Sequence, residues 1–84
     1  FWTASKADLT ELVYALQSAG CFNNGGAEVK TIASVLEEQF QMPLGNVYRT
    51  FLELRERKKN RTPFLDRLRD KILERMDAAD EGGY

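Results

Sequence analysis

The sequence predicts a mainly α-helical domain of four helices, the second and third arranged as a helix-turn-helix. Three observations carry this expectation. Apolar residues recur at helical spacing in four separate stretches. Gly, Asn and Pro fall between those stretches rather than inside them. The remaining residues leave little room for strands. Eighty-four residues make one small domain, which at this size buries only about 60–65% of the surface its unfolded chain exposes.

In the first helix Leu9, Leu12, Val13 and Leu16 fall at i, i+3, i+4 and i+7. Ser5 followed by Asp8 resembles a capping box, and Gly20 is placed to end the helix. CFNNGG, residues 21–26, reads as a turn because Asn and Gly tolerate positive φ. Cys21-Phe22 before it is long enough for a very short strand. The second helix puts Val29, Ile32, Ala33, Leu36 and Phe40 on one face.

The third helix is expected over about Leu44 to Lys59, joined to the second by Gln41 to Pro43. Pro43 cannot continue a helix and disfavours α geometry at Met42. At 100° per residue, Leu44, Val47, Tyr48, Phe51 and Leu54 share one side, and Asn46, Arg49, Thr50, Glu53 and Arg57 share the other. Arg55 falls on the apolar side, where a guanidinium needs a partner; Asp66 is the expected one. The fourth helix starts at Thr62-Pro63, an N-cap and first-turn pair. Leu65, Leu68, Ile72 and Met76 form its stripe. The domain is expected over residues 1–80, with 81–84 a flexible C-terminal tail.

The net charge of −1 hides an asymmetry. Residues 1–48 carry two basic and five acidic residues, residues 49–75 ten basic and five acidic, and residues 76–84 three acidic, giving −3, +5 and −3. Positive charge crowded into one stretch points to a polyanionic partner. Two short helices across a tight turn suit major-groove insertion of the second. The early residues of that helix, Asn46, Arg49 and Thr50, are then the candidate base contacts. Asn pairs bidentately with adenine and Arg with guanine. Arg57, Lys58, Lys59 and Arg61 are candidate phosphate contacts, which position without specifying; Lys6 and Lys30 are further ones. The bland alternative is a solvated face, since Glu53 and Glu56 lie among the basic residues and repel phosphate.

An enzyme is not expected. The chain has no histidine and one cysteine, so the commonest general base and any zinc cluster are missing. Glu37 and Glu38 are adjacent and diverge on a helix. NNGG lacks the Lys-Ser/Thr of a phosphate-binding loop. No catalytic residue, metal site or cofactor is expected, and no apolar run approaches the roughly 18 residues of a membrane span. Cys21 is expected as a small packed residue in a reducing cytoplasm. The aromatic residues Trp2, Tyr14, Phe40, Tyr48, Phe51 and Phe64 are expected at the core or its edge. The opening Phe1-Trp2 suggests a piece, the C-terminal one, of a longer protein.

WTASKADLTELVYALQSAG, FNNGGAEVKTIASVLEEQF, LGNVYRTFLELRERKKNRTPFLDRL and RMDAAD together resemble the C-terminal region of the RteC family, over nearly the whole chain. YRTFLELRERKKNRTPFLDRL combined with WTASK is the specific part. The resemblance implies a winged-helix-like DNA-binding domain, preceded in the family by a helical N-terminal domain. It also implies regulation of excision and transfer genes of a conjugative transposon linked to tetracycline resistance. Tyr48, Arg49, Arg55, Arg57, Lys58, Lys59 and Arg61 match the family's basic helix. This sequence departs from a winged helix in one respect: Thr62-Pro63 restarts helix so soon that the wing is reduced or absent. The partners expected are double-stranded DNA, a second copy on inverted half-sites, and the N-terminal domain. The alternative is a helical protein-interaction module without direct DNA contact.

Overall fold

A computed structural model describes residues 1–82 as four α-helices and one short 3-10 turn. Helix α1 spans Lys6–Ser18, α2 Val29–Phe40, α3 Val47–Arg55 and α4 Pro63–Gly82, with the 3-10 turn at Asn23–Gly25. There is no strand among the described residues. The very short strand for which Cys21-Phe22 left room does not form; Phe22 lies in a bend, and Cys21 is exposed rather than packed.

Helix α1 begins with the expected capping box. The Asp8 N–H donates to Ser5 Oγ at 3.0 Å, and the Ser5 N–H donates to Asp8 Oδ2 at 3.3 Å. The chain leaves α1 through Gly20 at φ +71°, then turns through Asn23, Asn24 and Gly25, all at positive φ. That is the conformation Asn and Gly adopt most cheaply.

Helix α1 is the centre of the domain, and α2, α3 and α4 each pack against it. Leu9 and Val13 on α1 are fully buried and meet Ala27, Ile32, Ala33, Leu44 and Val47. Around this small core lie half-buried aromatics. Trp2 straps the entry segment down: its backbone N–H donates to the Phe40 carbonyl and its indole N–H to the Ser5 carbonyl, both at 2.9 Å. Its ring meets Phe40 at 5.4 Å and Phe64 at 5.6 Å. Tyr14 stacks on Phe51 at 3.8 Å and fixes α1 against α3.

The connection from α2 to α3 runs from Gln41 to Asn46, not Gln41 to Pro43. Leu44 belongs to this turn. It is buried, and its N–H donates to Glu37 Oε2 at 2.7 Å. Gly45 follows at φ +65°, so helical geometry starts only at Val47. Helix α3 also stops early, at Arg55, and residues 56–62 form a linker.

Helix α4 is anchored by its first turns. Phe64 is buried, and the Arg67 guanidinium lies 5.2 Å from the Phe64 ring centroid and 3.4 Å from Asp8 Oδ2. The Thr62 hydroxyl donates to Asp66 Oδ1, so it does not serve as the expected cap. Glu11, on α1, takes that place: its Oε2 accepts the Leu65 N–H at 2.8 Å. Of the expected stripe Leu65 is half-buried, but Leu68, Ile72 and Met76 lie uncovered with Leu73 beside them, all between 43% and 54% exposed. The helix continues through Gly82, into the stretch the sequence assigned to a tail, and residues 83 and 84 lie outside those described.

Glu11 is 5% exposed, and its Oε1 lies 3.6 Å from Arg57 Nη1. Removing Arg57 leaves the buried Glu11 carboxylate without its counter-charge, and removing Glu11 also strips the Leu65 N–H of its acceptor, each a loss of about 1–3 kcal/mol. Glu11→Ala and Arg57→Ala should each lower the urea midpoint accordingly. The double variant should cost less than the sum, with a coupling of about 0.5–3 kcal/mol for a contacting pair. Additive losses would show that the pair is not coupled.

Burial, and secondarily Tyr48, pushes the Tyr14 phenol above the ordinary value of 10.0. The folded state then keeps a proton that the unfolded chain has released. This contribution is complete below the unfolded value and is lost as pH rises from there through the raised one. Tyr14→Phe should show a shallower loss of stability above about pH 10 in denaturant titrations.

Candidate nucleic-acid interface

The start of α3 is built by its cap. Asn46 is the N-cap residue, and its Oδ1 accepts the Arg49 N–H at 3.1 Å. Asn46 is exposed, but its side-chain oxygen is engaged in holding the helix end. Arg49 points to solvent from the first turn. Thr50 does not: it is half-buried, and its hydroxyl donates back to the Asn46 carbonyl at 3.3 Å. The expected trio thus divides into a cap, an outward cation and a residue turned toward the core.

The difference has a simple cause. Val47 and Leu54 are buried and Phe51 is half-buried, so these three define the inward face. Counting Leu44 and Tyr48 with them, as the spacing alone suggests, rotates that face by roughly 30° at 100° per residue. With Leu44 in the turn, Tyr48 and Arg55 move outward. Tyr48 is 58% exposed rather than at the core edge, and Arg55 is exposed rather than paired with Asp66. Leu52, 50% exposed, completes an outward surface with Arg49 and Glu53. The sequence reading passed over Leu52, although its position two residues before Leu54 on a short helix carries the signal.

A shallow groove lies between α2 and the start of α3, lined by Lys30, Ser34, Glu37, Asn46 and Tyr48 among others. Lys6 approaches from α1, since a Cβ built on Gly45 would lie 4.0 Å from its Nζ. Glu37 lines the same groove as an anion, and one of its oxygens accepts the Leu44 N–H. Two cations therefore stand beside the cap of α3.

The basic stretch after α3 is a loop, not helix. Lys58, Lys59 and Arg61 are exposed in the linker, with Asn60 at φ +51° between them. Arg57 departs from the expected phosphate role: its guanidinium faces buried Glu11. Among the described residues, Arg49, Arg55, Lys58, Lys59 and Arg61 make no salt bridge. Glu53 and Glu56 remain close to them along the chain and exposed.

The described residues contain no group of side chains arranged to hold a metal ion, and no helix long and apolar enough to cross a membrane. A family model described as RteC protein matches residues 1–80. No curated protein and no solved structure matches the chain.

Asn46→Ala removes the only side-chain cap seen at α3 and should cost about 0.5–2 kcal/mol. Asn46→Asp keeps the acceptor and should restore that loss. Amide hydrogen exchange at residues 47–50 reads the difference directly, and equal protection in both variants would remove the cap from this role.

Proposed function

The chain belongs to the RteC family, and from that premise we propose that it is the DNA-binding domain of a transcriptional regulator. It acts on double-stranded DNA in the cytoplasm, controlling excision and transfer genes of a conjugative transposon. Helices α2 and α3 serve as a helix-turn-helix, without a wing. The observation that carries the reading is the distribution of unpaired cations around α3. Lys6 and Lys30 stand at its start, Arg49 and Arg55 on its flank, and Lys58, Lys59 and Arg61 beyond its end.

A nine-residue helix is about 14 Å long, close to the roughly 12 Å width of the major groove. Cations at both ends then reach the phosphates bordering the groove, while Arg49 faces base edges. Asn46 can present its amide N–H to a base or phosphate without giving up the cap. Thr50 contributes through the packing of the helix. Two copies on inverted half-sites fit the two-fold symmetry common to such domains.

A second reading rests on α4. Its uncovered stripe of Leu68, Ile72, Leu73 and Met76 suits contact with protein, so a helical interaction module without DNA contact is the rival. Gel shifts on DNA upstream of the element's transfer genes, repeated over a range of salt, separate the two.

Arg49→Ala should relax base preference with a cost of about 1–3 kcal/mol on the specific site. Lys59→Ala should weaken specific and random DNA alike and reduce the salt slope by about one unit. Equal losses on both kinds of DNA for Arg49→Ala would remove it from base reading. Indifference to DNA at every salt concentration would sink the first reading.

A further inference from the structure

We propose that Tyr48 and Leu52 read thymine through its 5-methyl group, beside the cation of Arg49. This rests on the DNA-binding reading and adds to it the chemistry of the bases selected. One exposed leucine on a small domain means nothing by itself. Here two large apolar side chains sit at i and i+4 on one helix, 58% and 50% exposed, where residues four apart lie side by side. They form a continuous apolar strip along the outward face of α3. The neighbouring outward residues are polar or charged: Arg49, Glu53 and Arg55.

Charge decides what could cover this strip. Arg49 and Arg55 border it together with Glu53 and Glu56, and Lys30 and Glu37 share the groove in which Tyr48 stands. An apolar strip edged by charges of both signs fits a surface that is itself apolar in spots, bordered by anions and carrying amino donors between them. The major groove is that surface. Its one apolar group is the thymine methyl, and its rims are phosphates. Glu53 reinforces the choice. A carboxylate is repelled by phosphate but accepts from the cytosine amino group, so it belongs at the floor of the groove, where the strip would also lie. In that placement the hydroxyl of Tyr48 is free to bond a phosphate or base edge while its ring meets the methyl, as amphipathic aromatics do at wet interfaces.

The experiment uses the chain as it stands. Sites are first selected from a randomised duplex. The selected duplex is then remade with each thymine replaced singly by deoxyuridine, which deletes only the methyl. Affinity is measured by fluorescence anisotropy for the unaltered protein, Leu52→Ala and Tyr48→Ala. Both positions are exposed, so neither substitution threatens the core. For the unaltered protein, one or two replacements should weaken binding about three- to tenfold, the scale of one buried methyl group. In at least one of the variants the same replacement should have no effect, while preference at the positions that depend on Arg49 persists.

Selection of a sequence whose thymines can all be replaced without loss would overturn the proposal and leave the DNA reading intact. So would methyl dependence that survives unchanged in both variants. Failure to select any sequence would overturn both.

Discussion

A carboxylate with 5% exposure needs compensation for the water it has lost, and the way Glu11 obtains it fixes the second half of the domain. One oxygen accepts the Leu65 N–H, a donor of the first helical turn that has no intrahelical partner. The other faces Arg57 across 3.6 Å; neither Oε1 nor Nη1 has a hydrogen-bond partner, so this is a contact of charge alone. Arg57 ends one side of the linker and Leu65 lies just past the other. A single side chain on α1 therefore ties down both ends of the segment carrying Lys58, Lys59 and Arg61. The loop between is exposed, but its endpoints are not free.

The same economy governs the rest of the packing. Every other helix leans on α1, so the core is one helix face and what three neighbours bring to it. Asp8 caps α1 and also receives Arg67 from α4. Trp2 joins the end of α2 to the start of α4 through Phe40 and Phe64. These contacts all fall on the first turns of α4. Beyond them the helix runs for about four further turns with its apolar stripe half in water. Internal order should therefore be highest near α1 and fall along α4, since few buried contacts and exposed helix hydrogen bonds mark the regions that open most easily.

Local signals in the sequence translated well. Ser5 and Asp8 form the capping box, Gly20 ends α1, the Asn and Gly residues turn at positive φ, Pro63 opens α4, and Ile32 and Ala33 mark the buried face of α2. The misread features depend on side-chain contacts and backbone turns that helical spacing does not encode. Leu44 has the spacing of a helical residue but is held in a turn by Glu37 and the conformation of Gly45. With it in the turn, Val47, Phe51 and Leu54 set the inward face, which leaves Tyr48 and Arg55 outward and Thr50 half-buried. Arg57 and Glu11 are 46 positions apart, and no periodicity announces such a pair. Thr62 looked like a sufficient cap, so nothing called for Glu11 to supply one. The stripe on α4 was correctly seen as apolar, but a stripe says only that a face is apolar, not that the chain covers it.

These contacts also change what the basic stretch can do. Ten cations fall within residues 49–75, but Arg57 answers Glu11, Arg67 answers Asp8 and Lys71 answers Glu74. The unpaired group nearest α3 is smaller and sits on a domain of net charge −1. Indiscriminate affinity for DNA grows with the number of phosphates neutralised, so a binding domain arranged in this way would have little of it. Under the proposed function, discrimination then falls to short-range contacts on the outward face of α3, where a guanidinium, a carboxylate and two apolar side chains stand together. A protein with a uniformly basic surface would bind more tightly and choose less well. On the same proposal, the net negative charge of residues 1–48 and 76–84 steers a duplex away from those parts of the chain and toward α3 and its linker.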